Sequence, residues 1–130
     1  MVGPWEVHVA IIEDDNHLRN SIRDLLDTEG YSSALFESAD RFLQSNQYEA
    51  VGCILADVRM PGTSGIDMLK ELKARPGCPP ILIMTSYSDQ HTQSLAIKHG
   101  ADGFFPKPLD SNLLLSAIQN IVGNGSWAPA

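Results

Sequence analysis

The stretch Val51-Gly52-Cys53-Ile54-Leu55-Ala56-Asp57 decides the fold. Its first six residues carry no charge, and apolar and polar side chains do not alternate along it. A strand with one wet face alternates. A continuous apolar run of this length reads instead as a strand buried on both faces, as in a parallel sheet covered by helices on each side. A single carboxylate then ends the run. Val9-Ala10-Ile11-Ile12 and Ile81-Leu82-Ile83-Met84 have the same character. Ser33–Phe36 and 103–105 are shorter and more mixed, as edge strands tend to be. The expected strands are therefore Val7–Ile12, Ser33–Phe36, 51–56, 80–84 and 103–105.

The intervening segments have helical periodicity. Leu18, Ile22, Leu25 and Leu26 recur at i, i+4, i+7 and i+8, which places them on one helix face. Gly30 follows as a stop. Ser38 is placed to cap a short second helix carrying Phe42 and Leu43. Ser64 is placed to cap a third with Ile66, Leu69 and Leu72, ended by Pro76-Gly77. Ser88 opens a fourth containing Leu95 and Ile97, closed by Gly100. A fifth runs over 111–122, with Leu114, Ile118 and Ile121 on its apolar face. Strands alternating with helices predict right-handed crossovers and a parallel sheet. Five such units predict a single (βα)5 doubly wound α/β domain of strand order 2-1-3-4-5, flavodoxin-like.

Composition agrees. The chain has 130 residues, 43% of them hydrophobic and 19% charged, which suits one domain with an ordinary core and not a disordered chain. The formal net charge is −7. That balance argues against a nucleic-acid surface, which needs clustered Lys and Arg, and against an anionic membrane surface. No apolar stretch approaches the roughly 18 residues of a membrane helix. The first residues, Met1-Val2-Gly3-Pro4-Trp5, lack the basic and apolar regions of a secretory signal. Cys53 and Cys78 form no CxxC pair, and His8, His17, His91 and His99 have no zinc-ligand spacing. They read as ordinary residues of a cytoplasmic protein with reduced thiols.

In open α/β sheets, ligands bind beyond the carboxyl ends of the strands, at the switch in strand order. The first strand runs into Glu13-Asp14-Asp15, the third into Asp57, the fourth into Thr85-Ser86, and the fifth stops just before Lys107-Pro108. Each feature alone is ordinary: a lone Asp before a turn is usually a cap, and acids after a strand usually open a helix. Their coincidence at several strand ends is not ordinary. Crowded carboxylates repel, so they call for a cation. An all-oxygen set with room for water suits Mg²⁺, with Mn²⁺ as a substitute. A carboxylate can also accept a phosphoryl group. Asp57 is the candidate, because it stands alone at the end of the central strand before the turn-rich Val58-Arg59-Met60-Pro61-Gly62.

With these residues in view, the chain resembles the receiver domain of two-component response regulators (the CheY-like fold) over residues 7–122. The matching stretches are Ile11-Ile12-Glu13-Asp14-Asp15, Leu18-Arg19, Ala56-Asp57-Val58-Arg59-Met60-Pro61-Gly62-Thr63-Ser64-Gly65, Met84-Thr85-Ser86, and Gly100-Ala101-Asp102-Gly103-Phe104 with Lys107-Pro108. Each is weak alone; in order and at family spacing they are specific. The Asp-x-Arg-Met-Pro-Gly-x-Ser-Gly run looks most like FixJ-type transcriptional regulators. The resemblance implies roles. Asp57 would accept phosphate from a sensor histidine kinase or a small phosphodonor. Asp14 would bind Mg²⁺ directly, Glu13 through water, and Arg59 through its main-chain carbonyl. Thr85 would hydrogen-bond the phosphoryl group, and Lys107 would pair with it, the Lys107–Pro108 bond being cis in relatives. Phe104, three residues before the Lys, would be the aromatic switch coupled to Thr85. Arg59 and Tyr87 lie where relatives vary and tune dephosphorylation. Phosphorylation would remodel the surface of the fourth helix, fifth strand and fifth helix, promoting homodimerisation or partner binding.

Competing classes fit less well. A haloacid-dehalogenase-type phosphohydrolase needs a second Asp two residues after the nucleophile, and Arg59 stands there. A flavin carrier of the same fold needs a Ser/Thr/Gly-rich phosphate loop after the first strand, where this chain has three acids. A receiver that has lost phosphate acceptance would lack a site residue type, and none is missing. The domain plan expected is an N-terminal extension over 1–6, the receiver over 7–122 and a linker-like tail over 123–130. FixJ-type regulators continue into a DNA-binding domain, so two readings follow: a receiver excised from such a regulator, or a stand-alone regulator acting through a protein partner. On either, the receiver itself touches no nucleic acid.

Overall fold

Asp57 is the last residue of the central strand, and the fold is arranged to put it there. The structure is a computed structural model that describes residues 7–86 and 90–123. In chain order the elements are β1 (Val7–Ile12), α1 (Asn16–Thr28), β2 (Ser33–Phe36), α2 (Ala39–Ser45), a 3-10 turn (Tyr48–Ala50), β3 (Val51–Asp57), α3 (Gly65–Lys73), β4 (Ile81–Thr85), α4 (Gln90–Lys98), β5 (Gly103–Pro106) and α5 (Ser111–Val122). The strands form one parallel sheet in the order β2-β1-β3-β4-β5. This is the doubly wound topology that the alternation of apolar runs predicts.

Every residue of β3 is buried, and so are all five residues of β4. The pleat still sorts them by face. Ala10, Ile12, Ile54, Ala56, Ile81 and Ile83 join the core under α2, α3 and α4, with Phe42, Leu69, Leu72 and Ala96. Val9, Ile11, Cys53, Leu55, Leu82 and Met84 join the opposite core, under α1 and α5, with Ile22, Leu26, Leu114 and Ile118. Each fully buried aliphatic side chain contributes about 1.5–3 kcal/mol, so the two cores dominate the stability.

Helix starts follow side-chain capping. Ser38 accepts from the Arg41 N–H and Ser64 from the Asp67 N–H, as the sequence predicts. Asp110 caps α5 through the N–H groups of Asn112 and Leu113. In α4 the residue buried in the core is Ala96; Leu95 packs at its margin, and Ile97 is 60% exposed. In α5 the buried set is Leu114, Ile118 and Val122, with Ile121 packed at the edge. The 3-10 turn before β3 has no counterpart in the apolar periodicity. Tyr87, the Ser88 cap, the 1–6 extension and residues 124–130 of the expected tail lie outside the described residues.

Candidate phosphoryl and metal site

The chain crosses from strand to loop at three neighbouring points on the carboxyl edge of the sheet. Register pairs Ile12 with Ala56 and Asp57 with Met84, so the residues that follow β1, β3 and β4 come together there. The carboxylates of Glu13, Asp14 and Asp57 lie within 4.8 Å of one another. Glu13 and Asp57 are buried, and Asp14 is exposed. Lys107, just past β5, reaches in between. Its Nζ donates to Glu13 Oε1 at 2.7 Å and to Asp57 Oδ2 at 3.1 Å. The Lys107–Pro108 peptide bond is cis.

Three carboxylates therefore face one ammonium. Burial raises the Glu13 carboxyl above its ordinary range, against the lowering pull of Lys107 and of the Asp15 N–H that it accepts. Burial also works against the Lys107 ammonium, but the hydrogen bond to Glu13 and the charge of Asp57 outweigh it, and its pKa is held above the usual lysine value. The second Asp57 oxygen, Oδ1, is buried and has no hydrogen-bond partner among the described residues. An acceptor buried without a partner costs about 1–3 kcal/mol. Such a group marks a place where a ligand completes the structure.

A divalent cation fits this donor set. All three groups offer hard oxygens, Asp57 Oδ1 is uncommitted, and exposed Asp14 leaves one side open to water. Mg²⁺ prefers oxygen ligands and retains several waters. The enclosed cation sites of soft ligands are not matched here: Cys53 is buried in the core under α1 and α5, where desolvation pushes its thiol up to about 12.

The structure separates the three consecutive acids that follow β1. Glu13 turns inward and Asp14 joins the cluster, whereas Asp15 is the N-cap of α1, accepting from the N–H groups of His17 and Leu18. Those N–H bonds, Leu18 first, hold its carboxyl below the usual aspartate range. Asp15 is therefore a helix start, not a third ligand from this strand end. Thr85 is the last residue of β4 and is buried. Phe104 lies in β5 opposite Ile83, with Pro106 opposite Thr85. The pleat thus turns Thr85 and Phe104 toward the same face, where half-buried Phe104 packs on the α3–α4 core.

Three supports were not legible in the sequence. Arg19 donates from Nη1 to the Glu13 carbonyl at 2.7 Å and from Nη2 to Asn16 Oδ1, tying α1 to the end of β1. Gly65 sits so close to Asp57 that a Cβ there would overlap the Asp57 carbonyl oxygen. Asp40, at the start of α2, binds the loop after Asp57 through Thr63. A cleft of about 660 Å³ lined by Arg19, Phe36, Glu37 and Arg41 is a separate feature and contains none of the clustered acids. A site that meets its ligand through charged oxygens at an open sheet edge needs no deep cavity.

The sequence matches the response regulator receiver domain family over residues 9–119. Among curated proteins it is 39% identical to the transcriptional regulatory protein FixJ of Bradyrhizobium diazoefficiens over 115 residues, covering 88% of this chain and 56% of that protein. Against the crystal structure of full-length FixJ from B. japonicum the TM-score is 0.81 at 37% identity, covering 94% of this chain and 60% of the other. Against a CheY-like receiver domain protein from Methanospirillum hungatei it is 0.78 at 26% identity, covering 88% and 91%. The chain thus spans a little more than half the length of the FixJ proteins it matches. The (βα)5 sheet, the acidic cluster at its carboxyl edge and these similarities agree: the chain belongs to the response regulator receiver domain family.

Proposed function

We propose that this chain is the phospho-accepting switch of a two-component system, with Asp57 as the acceptor and Mg²⁺ held by Glu13, Asp14, Asp57 and the Arg59 main-chain carbonyl. As a receiver domain it is an acceptor of phosphate and not a classical turnover enzyme. One observation carries the assignment of Asp57: its Oδ1 is the buried, unpartnered carboxylate oxygen beside a lysine, inside the acidic cluster.

The chemistry is a displacement at phosphorus. One carboxylate oxygen of Asp57 attacks the phosphorus of a phosphohistidine on a sensor kinase, or of a small acyl phosphate, while the other is left to the cation. The new O–P bond makes an aspartyl phosphate, and the P–N or P–O bond of the donor breaks. The leaving imidazole or carboxylate carries off the electron pair. Mg²⁺, when bound, offsets negative charge on the transferring group. Lys107 already bridges Glu13 and Asp57, so its ammonium is placed to meet a phosphoryl oxygen. Thr85 offers a hydroxyl to a second oxygen, and the space it vacates is open to Phe104 on the same face of the sheet. That couples a local change of charge to packing along α4, β5 and α5. The exposed Ile97 of α4 and Leu113 of α5 are apolar side chains that such a surface offers to a second copy or another partner.

The output we favour is transcription, through a DNA-binding segment of a longer regulator. Its support is the similarity to FixJ, a transcriptional regulatory protein of which this chain covers 56%. The alternative is a stand-alone regulator acting through a protein partner. The setting is cytoplasmic; among the described residues no helix is long and apolar enough to cross a membrane. The test is intact mass after incubation with acetyl phosphate and Mg²⁺. One added phosphoryl group is expected on the wild type and none on Asp57→Asn. A wild type that stays unmodified with both acetyl phosphate and physiological kinases would sink the assignment.

A further inference from the structure

The loop from Val58 to Ser64 follows Asp57 and includes Arg59, whose carbonyl is a proposed metal ligand, and it is fastened at both ends. The Val58 N–H donates to the Met84 carbonyl at 3.0 Å, and the Gly65 N–H donates to the Val58 carbonyl at 2.9 Å. Between these points Met60 packs on the core. The remaining anchor comes from 23 residues earlier in the chain. Thr63 Oγ1 donates to Asp40 Oδ1 at 2.5 Å, and the Thr63 N–H donates to Asp40 Oδ2 at 3.3 Å. Both carboxylate oxygens of Asp40 are thus used on one residue of the loop. Gly62 makes the approach feasible: its φ is +80°, and a Cβ there would overlap the Asp40 carboxylate. Asp40 is itself held firmly, because its helix is capped by Ser38 and buries Ala39 and Phe42 in the core.

We propose that Asp40 and Thr63 are positioning residues for the phosphoryl site, clamping the 58–64 loop so that its main chain is fixed beside Asp57; this rests on the function proposed above. Neither residue touches the reacting atoms. The clamp acts by lowering the conformational freedom of the loop before the cation arrives, so the cation need not order it. The hydrogen bonds from Thr63 hold the Asp40 carboxyl below the ordinary aspartate range, in keeping with an ionised acceptor. The clamp also links α2 to the loop, so any ligand that fixes the loop favours the same α2 position.

The test follows a Mg²⁺ titration with two readouts: amide NMR shifts of the metal-binding loop without phosphodonor, which report binding directly, and the rate of phosphorylation by acetyl phosphate, read by intact mass. Partners that orient metal ligands from behind carry roughly 10–100-fold in affinity, and this one is partly exposed, so Asp40→Ala is expected to raise the Mg²⁺ midpoint about three- to tenfold. The rate at saturating Mg²⁺ should stay near wild type. Thr63→Val should raise the midpoint less, Thr63→Ser should restore it, and the Asp40→Ala/Thr63→Val pair should fall short of additivity. Tyr31→Phe, which removes a hydrogen bond to the Gly123 carbonyl at the other end of the domain, controls for general loss of stability. If Tyr31→Phe moves the midpoint as far as Asp40→Ala, or if Asp40→Ala leaves it unchanged, the clamp is refuted while the phosphoryl site stands. If Asp40→Ala fails to fold, Thr63→Val decides alone. A wild type that responds neither to Mg²⁺ nor to acetyl phosphate overturns both proposals.

Discussion

At the carboxyl edge of the sheet, Glu13, Asp14 and Asp57 gather around the Lys107 ammonium; at the amino edge, the carboxylate of Asp102 is shared between a lysine and the backbone. There Asp102 Oδ2 accepts from Lys73 Nζ at 2.9 Å and from the Ile81 N–H at 2.8 Å. The Asp102 N–H returns a bond to the Ile81 carbonyl, which closes the start of β4 against β5. His8 Nδ1 accepts from the Ser32 N–H at 3.0 Å, and the His8 N–H donates to Ser32 Oγ. Tyr31 Oη donates to the Gly123 carbonyl at the end of α5. Charge at this edge is matched within the chain. At the other edge Lys107 pairs with two of three clustered carboxylates, Glu13 and Asp57. The same fold therefore pairs acid with base at one end and gathers acids at the other, where a ligand can complete the balance.

The sharpest way to break that contrast is to supply or remove the missing charge. Free Mg²⁺ at about 100 times its dissociation constant is expected to stabilise the wild type by about 2.7 kcal/mol through mass action. In Asp57→Asn the gain should largely vanish. Without Mg²⁺, Asp57→Asn should be no less stable than wild type, since it relieves repulsion among three acids and its carbonyl can still accept from Lys107. Chemical denaturation with and without Mg²⁺ measures both. A variant markedly less stable in the absence of metal would mean that Asp57 serves the fold, and the contrast between the edges would be lost.

At the amino edge the expected sign reverses. Asp102→Ala leaves the buried Ile81 N–H without its acceptor, at a cost of about 1–3 kcal/mol. The pairing with Lys73 adds little, because both side chains are partly exposed. The same denaturation experiment should show this loss with Mg²⁺ present or absent, and phosphorylation at saturating Mg²⁺ should be unaffected. A changed phosphorylation rate would show that the amino edge acts on the site.

Which parts were legible in the sequence follows from the same physics. The strands were, because a parallel sheet covered on both faces demands unbroken apolar runs, and 51–56 and 81–84 supply them. The acidic edge was, because topology assigns ligands to the carboxyl ends of strands, and Glu13, Asp14 and Asp57 sit there. Asp15 was not. In a run of three acids nothing local says which turns inward and which caps the next helix; the chain's exit angle from β1 decides. Ile97 was not either, since a Leu-Ala-Ile triplet does not reveal that the helix turns its Ala to the core. The Asp40–Thr63 clamp spans 23 residues and uses two common residue types, so only the packed fold brings it into view.

His8 yields the smallest effect and the cleanest sign. Burial lowers its pKa from the ordinary 6.5. The folded state uses the ring nitrogen Nδ1 as an acceptor for the Ser32 N–H, and protonation would turn that acceptor into a donor facing a donor. Tyr31 packs edge-on against the ring at 5.6 Å and brings no charge to offset a proton. A group whose folded pKa is depressed binds fewer protons when folded than when unfolded. Its contribution to stability is therefore complete above pH 6.5 and is lost as pH falls through that value toward the folded pKa. An NMR titration of the His8 ring should give a midpoint below 6.5. Loss of stability between pH 7 and 5.5 should be smaller in His8→Gln, which has no ionisation there, than in the wild type. A His8 midpoint at or above 6.5 would mean that the amino edge welcomes a proton, and the contrast with the acidic edge would weaken.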